Sequence, residues 1–165
     1  MTSRRLRAAV VIAAMFSVLV SGCSTSGGDT TPPTAVPNLA GEAPPLPELD
    51  DERVARGEEL YQANCSSCHG PDLSGDPDWK TPNRDGSYPP PPHDSSGHTW
   101  HHSDQLLLEI IRDGSDFAET RMPTFGEQLR DDDIRAILEY FKANWGPQER
   151  AFQWQVTWQE SQAEQ

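Results

Sequence analysis

Cysteine, methionine and lysine are scarce in this chain of 165 residues. There are three cysteines and three methionines, and the only lysines are Lys80 and Lys142. No second Cys-x-x-Cys pair is present, which argues against a four-ligand structural zinc site. Asp and Glu number 26 against 13 Lys and Arg, a formal net charge of −13. This acidic balance argues against nucleic acid or anionic lipid as a binding partner.

The chain also lacks a long hydrophobic run. Its most apolar stretch, Ala8–Val20, has 13 residues, whereas a bilayer-spanning helix needs roughly 20. Three arginines precede the run, and the sequence LVSGC follows its core and ends at Cys23. This pattern predicts a lipoprotein signal peptide at residues 1–22 and acylation of Cys23. The alternative is an ordinary signal peptide followed by an unrelated cysteine.

Residues 23–50 are rich in Pro, Gly, Ser and Thr and contain little that could form a core. This composition predicts a disordered, lipid-anchored linker. An arm packed on the following domain is the alternative, and Leu46 and Leu49 favour it only near the domain boundary.

The sequence Cys65-Ser66-Ser67-Cys68-His69 carries the strongest chemical signal. Two cysteines two residues apart, followed directly by histidine, are typical of c-type haem attachment. The thiols of Cys65 and Cys68 can add to the two vinyl groups of haem, and His69 can then be the proximal iron ligand. One covalently attached haem c is therefore the expected cofactor.

Two other interpretations of these residues are weaker. A thioredoxin-like redox pair would follow a strand, but residues 51–64 have a helical pattern. The other is a pair of buried cysteines next to an unrelated histidine.

Three short helices are predicted after the linker, and no alternating strand pattern precedes the tail. The first covers Asp51–Asn64; the second covers Asp104–Arg112 with Ser103 as N-cap; the third covers Asp131–Asn144 and ends at Gly146-Pro147. Three short helices bury little apolar surface. The expected fold is therefore an all-α domain at residues 51–146, wrapped around one haem that completes its core.

The C-terminal tail, residues 147–165, is rich in aromatic residues. Apolar residues alternate along Ala151–Trp158, which predicts an extended segment lying on the domain. The tail could cover the haem's flank and the loop after the haem motif, or it could form an aromatic docking patch beside the haem edge.

Met122 is the only methionine left once the leader is removed. It lies in a loop between the second and third helices and precedes Pro123, which stiffens the backbone. Met122 is therefore a candidate for the second axial ligand, the alternative being a core or surface methionine.

These features together resemble the class I monohaem cytochromes c. The helix before Cys65–His69, the Met122-Pro123 loop and the last helix around Asp133–Phe141 carry the resemblance over about residues 51–146. It implies a crossing of the first and last helices, where a glycine faces an aromatic residue, here Gly57 and Tyr140. It also implies electron transfer through a low-spin haem without substrate turnover.

The chain departs from that family in the loop after the haem motif, which is enlarged. Family members use a proline carbonyl to accept the other N–H of the proximal histidine, and several prolines compete for this role: Pro71, Pro77, Pro82 and Pro89 to Pro92. The loop also contains His93, His98, His101 and His102. Any of these histidines could replace Met122 at iron, help to form a second metal site, or remain in solvent or bonded to a haem propionate.

The resulting hypothesis is a lipid-anchored electron carrier at the outer face of a bacterial membrane. Its expected partners are respiratory or periplasmic redox proteins with basic docking surfaces, without a small-molecule substrate. The alternatives are a peroxidase-like haem enzyme and a redox sensor, either of which needs a labile sixth ligand.

Overall fold

The computed structural model describes residues 43–114 and 121–163. The predicted signal peptide, the predicted acylation site Cys23 and most of the predicted linker lie outside the described residues. Within those two ranges every regular element is helical, which confirms the all-α class. None of the helices there combines the length and apolarity needed to cross a bilayer.

The described residues form five α-helices and one short 3₁₀ turn, joined by loops. They are α1 Asp51–Asn64, α2 Ser66–His69, the 3₁₀ turn Thr99–His101, α3 Asp104–Asp113, α4 Asp131–Ala143 and α5 Pro147–Ala163. The three helices predicted from the sequence are α1, α3 and α4, with ends that agree to within one residue.

Local capping explains where α1 and α3 begin. The Asp50 carboxylate accepts a hydrogen bond from Arg53 N at 2.9 Å, and the Ser103 hydroxyl accepts one from Leu106 N at 3.2 Å. Each side chain thereby satisfies a backbone N–H that has no partner inside the helix. Ser103 is the N-cap that the sequence predicts.

The core is centred on the crossing of α1 and α4. A Cβ atom at Gly57 would lie 1.9 Å from the carbonyl oxygen of Ala136 and 3.0 Å from Tyr140 Cβ, so only glycine permits this close approach. Tyr61 is wholly buried, and its ring centroid is 5.4 Å from that of Tyr140 and 5.9 Å from that of Phe141. The predicted contact of Gly57 with Tyr140 is therefore confirmed.

The C-terminal tail is helical, so the prediction of an extended segment is wrong. Gly146-Pro147 does not terminate α4, which ends at Ala143; it begins α5 instead, and the Gly146 carbonyl accepts from Arg150 N at 3.0 Å. Proline suits the first position of a helix because the missing N–H is not needed there. Phe152 and Val156 are also four residues apart, so the apparent alternation satisfies helical spacing equally well.

Helix α5 packs on the segment that contains the 3₁₀ turn. Gln153 is buried and donates to the carbonyl of His102 at 3.2 Å and to the Asp104 carboxylate at 2.6 Å. Phe152 makes an edge contact with Trp100, with ring centroids 5.6 Å apart. Covering of the enlarged loop by the tail, one of the two roles considered from the sequence, is thus observed.

The end of the predicted linker also lies on α5. Trp154 Nε1 donates to the Pro44 carbonyl at 2.7 Å, and Arg150 donates to the Pro47 carbonyl at 2.9 Å. Leu46 and Leu49 line a cavity of about 150 Å³ beside these bonds. Local packing near the boundary, the alternative considered for this segment, is therefore what the described residues show.

Candidate haem site

The two cysteines of the haem motif lie on one tight turn of chain. Cys65 caps the end of α1 by donating its N–H to the Tyr61 carbonyl at 2.8 Å. The Cys65 carbonyl then accepts from the N–H of Cys68 at 3.1 Å and of His69 at 3.0 Å, closing the short helix α2. This turn holds both cysteines and the histidine on one short stretch of hydrogen-bonded backbone, Cys65–His69, and both thiols are free.

The Cys65 thiol is not poised for thiolate chemistry. Burial, reinforced by the neighbouring Cys68, raises the pKa of Cys65 to about 11. A redox-active cysteine usually has a lowered pKa, since the thiolate is the nucleophile. The environment therefore disfavours the thioredoxin-like interpretation and suits a cysteine that serves as an attachment point.

His69 is buried and oriented by a single backbone carbonyl. His69 is only 7% exposed, and its Nδ1 lies 2.9 Å from the carbonyl oxygen of Pro91. A carbonyl can only accept, so Nδ1 carries the proton and Nε2 remains available to a metal. Burial lowers the pKa of His69, against the opposing effect of the Pro91 bond, so the neutral ligand form is favoured. Among the candidate prolines, the structure thus selects Pro91.

Three backbone contacts bring Pro91 to His69 across the enlarged loop. Gly75 N donates to the His69 carbonyl, Asp76 N to the Pro90 carbonyl and His93 N to the Leu73 carbonyl, each at 2.8 Å. Gly75 has a φ of 62°, and a Cβ atom there would lie 2.4 Å from Pro92 N. The close passage of the proline run therefore requires glycine at this position.

His93 lies against the face of His69. The two ring centroids are 4.2 Å apart with an interplanar angle of 28°, and the opposite face of His93 stacks on Phe141 at 4.4 Å and 18°. The pKa of His93 is well below its usual value. Burial is the main cause, and the charges of His69 and His98 contribute less. Face-to-face stacking places His93 beside the His69 ring, so His93 could not be the opposite axial ligand if His69 bound iron.

The other loop histidines pair with aromatic rings. His98 stacks on Trp79 at 5.1 Å, His101 stacks on Trp100 at 3.7 Å, and His102 meets His98 edge-on at 5.4 Å. Within the described ranges, no three His, Cys, Asp or Glu side chains lie close enough to hold a metal ion. The second metal site considered from the sequence thus gains no support there.

Met122 lies in the loop between α3 and α4, half-buried against the hydrophobic core. The end of this loop is attached to α3 by two backbone bonds, Phe125 N to the Ile111 carbonyl at 3.1 Å and Gly126 N to the Arg112 carbonyl at 2.9 Å. Arg121, which directly precedes Met122, forms an ion pair with Asp85 of the enlarged loop. These contacts are compatible with a methionine that supplies a thioether to a cofactor in the core.

Sequence reasoning did not identify His93 and Thr99 as parts of the surroundings of His69. The Thr99 hydroxyl lies 2.9 Å from His93 Nδ1, although the two residues are six positions apart in the sequence. No local pattern indicates such a contact, since it depends on the path of an irregular loop. The only sequence signal is the position of His93 directly after the proline run that carries Pro91.

The residues present fit a covalently attached haem c. Two adjacent free thiols, a buried neutral imidazole with Nε2 available and a thioether against the core form the donor set that such a group needs. The family described as cytochrome c oxidase, cbb3-type, subunit III matches residues 52–141, more than half of the chain. No curated protein and no solved structure matches the chain. The chain therefore belongs to this family and is a class I monohaem c-type cytochrome with a covalently attached haem c.

Proposed function

We propose that this cytochrome is a membrane-anchored carrier of single electrons between respiratory or periplasmic redox proteins. In this proposal Cys65 and Cys68 form the thioether bonds, and His69 and Met122 are the axial ligands. The observation that carries it is the orientation of His69, whose Nδ1–H is bonded to the Pro91 carbonyl at 2.9 Å. That bond fixes the tautomer of His69 and leaves Nε2 available to iron. His69 also comes directly after the two cysteines in the sequence.

Haem c supplies a one-electron ferrous–ferric couple when it is bound. The neutral imidazole of His69 and the soft thioether of Met122 would together occupy both axial positions, which leaves none for oxygen or a substrate. A thioether ligand favours the ferrous state and raises the reduction potential, whereas the surrounding acidic charge lowers it. This ligand set is the reason to favour a carrier over an enzyme.

The proposed membrane anchor is an acylated Cys23 joined to the domain through the linker. Each buried methylene of an acyl chain contributes about 0.8 kcal/mol, so several chains hold a protein firmly at a bilayer. The location would be the outer face of a bacterial membrane, in the cell envelope. The net charge of −13 favours partners with basic docking surfaces, and association should slow as salt rises.

The test is ligand binding and electron exchange by the purified holoprotein. We expect no spectral change with carbon monoxide or cyanide, and rapid reduction by a basic redox partner that slows with ionic strength. Immediate carbon monoxide binding would instead indicate a labile sixth ligand and support a peroxidase-like enzyme or a sensor.

The family description names an oxidase subunit. Purification from membranes separates a free carrier from a dedicated subunit. A carrier is recovered alone at moderate salt, whereas a subunit is recovered in a fixed ratio with its oxidoreductase.

A further inference from the structure

Three aromatic rings are stacked between the haem motif and the last helix of the family match. The rings of His69, His93 and Phe141 follow one another with centroid distances of 4.2 and 4.4 Å. Histidine ligation needs the Pro91 carbonyl and a free Nε2, but it does not need a second imidazole on the face of the ligand. His93 therefore calls for an explanation of its own.

His93 is held by bonds from both its side chain and its backbone. The Thr99 hydroxyl donates to the Pro92 carbonyl at 3.3 Å, so its oxygen accepts the Nδ1–H of His93 at 2.9 Å. The backbone N–H of His93 donates to the Leu73 carbonyl at 2.8 Å, and its carbonyl accepts from Trp145 Nε1 at 2.8 Å. The ring is therefore fixed in both position and tautomer.

We propose that His93 is a positioning residue that sets the rotation of the His69 ring about the bond from Nε2 to iron. This inference rests on the proposed function, because it requires His69 to be the proximal ligand. The Pro91 bond determines where Nδ1–H points, and the flat face of His93 opposes rotation of the ring out of that plane. Groups that orient a metal ligand in this way influence the electronic properties of the metal.

A merely space-filling role predicts different behaviour. If His93 only fills volume, any apolar residue of similar size should serve, and its loss should reduce stability without altering the ligand plane. If it positions His69, a flat ring is required at residue 93, and the change should appear in the electronic signature of the ferric protein.

The experiment compares His93→Phe and His93→Leu in the holoprotein by electron paramagnetic resonance and potentiometric titration. His93→Phe retains a flat ring, so we expect g-values close to those of the wild type. His93→Leu removes the ring, so we expect shifted and broadened g-values and a lower midpoint potential, because water gains access to the proximal side and stabilises the ferric form. Wild-type g-values and potential in His93→Leu would overturn the proposal.

Thr99→Val provides a second variant in case His93→Leu does not incorporate haem. It leaves the Nδ1–H of His93 without its acceptor while keeping the side-chain volume, so the imidazole should turn away from its stacked position and we expect broadened g-values. The phenyl ring of His93→Phe has no polar hydrogen to satisfy and can keep the stacked position. If Thr99→Val matches the wild type in g-values and potential, the proposal is wrong in that case as well.

Asp104→Asn is the matched control for loss of stability. Its carboxylate bonds to Lys142 at 2.7 Å and to Gln153 at 2.6 Å, in the contact between α3, α4 and α5. We expect this variant to be less stable but to keep the wild-type g-values. A shift as large as that of His93→Leu would mean that general destabilisation accounts for the effect.

Failure of the proposed function is detected separately, with a variant at His69. If His69→Ala retains the wild-type low-spin signal, His69 is not the ligand and the premise fails. If that variant loses the signal while the variants at residue 93 are unchanged, only the positioning role fails.

Discussion

The two parts of the chain that would bind opposite faces of the haem are held in different ways. The proximal side, defined as Cys65–His69 with Pro91 and His93, is fixed by the His69–Pro91 bond and by ring stacking. The methionine loop, residues 121–126, is attached by two backbone bonds to α3 and by the Arg121–Asp85 ion pair. The side chains of that pair are 71% and 52% exposed.

This difference indicates which of the two proposed ligands, His69 or Met122, is easier to displace. An exposed ion pair contributes little to stability because water and salt screen it. A buried hydrogen bond that orients a ligand is lost only when the surrounding structure opens. The proximal side should therefore persist under conditions that release the methionine loop.

The largest effect is expected when both points of covalent haem attachment are removed together. Replacing Cys65 and Cys68 together by Ala eliminates the sulfur atoms that form the covalent bonds. We expect complete loss of haem that survives denaturation and acid-acetone washing, as seen by haem staining on denaturing gels. Covalent haem in the double variant would contradict the assignment of the attachment site, and Ser67→Ala is the matched control.

The second-largest effect is expected at the crossing of α1 and α4, which supports the proximal side. In Gly57→Ala, the new methyl group would meet the Ala136 carbonyl at 1.9 Å, so the helices must separate. Overpacking costs about 3 kcal/mol and better helix propensity returns about 1 kcal/mol, so we expect a net loss of about 2 kcal/mol in the free energy of unfolding. Denaturant titration of the holoprotein measures it.

Ala55→Gly is the control for this substitution because Ala55 is exposed on the same helix. It should lose about 1 kcal/mol through helix propensity alone. Equal stability of Gly57→Ala and the wild type would show that the crossing is not as tight as described.

A smaller effect is expected from the hydrogen bond between Tyr61 and the haem motif. The buried Tyr61 hydroxyl donates to the Gly70 carbonyl at 2.6 Å, one residue after His69. Tyr61→Phe should lower the free energy of unfolding by about 1 kcal/mol. Chemical denaturation gives the value, with the exposed Tyr88→Phe as control; equal losses in the two variants would argue against a specific role of this bond.

The smallest effect concerns the exposed ion pair of the methionine loop. The Ser87 hydroxyl, and then Arg121, lower the pKa of Asp85 from 3.8 to about 2. Because the folded pKa is the lower one, the stabilisation is present above pH 3.8 and is lost as the pH falls through about 2. We expect Asp85→Asn to differ slightly from the wild type above pH 3.8 and to converge with it near pH 2.

Acid titrations of both proteins at low salt, followed by the thioether-to-iron absorption band, test this pH dependence. A difference that grows as the pH falls would have the opposite sign and would exclude the Asp85 carboxylate, bonded to Ser87 and Arg121, as its cause.

Elements with local signals could be predicted from the sequence. The start of α1 follows from its acidic first turn, Asp51 and Glu52, and the buried face of α4 follows from its helical spacing. The haem motif could also be identified, because its chemistry depends on residues close together in sequence.

Features that depend on long-range packing could not be predicted. Pro91 is selected because Gly75 allows the proline run to pass close to His69, and many other prolines satisfied the same local rule. Helix α5 was misinterpreted because Pro147 can either follow one helix or begin another. The stack of His93 on His69 depends on the path of the whole loop.

The most direct measurement of the ligand assignment is the visible and magnetic circular dichroism spectrum of the ferric holoprotein and of Met122→Ala. The account predicts a thioether-to-iron charge-transfer band in the wild type and its complete absence in the variant, with covalent haem retained in both. Persistence of that band in Met122→Ala, or its absence from the wild type, would contradict ligation by His69 and Met122.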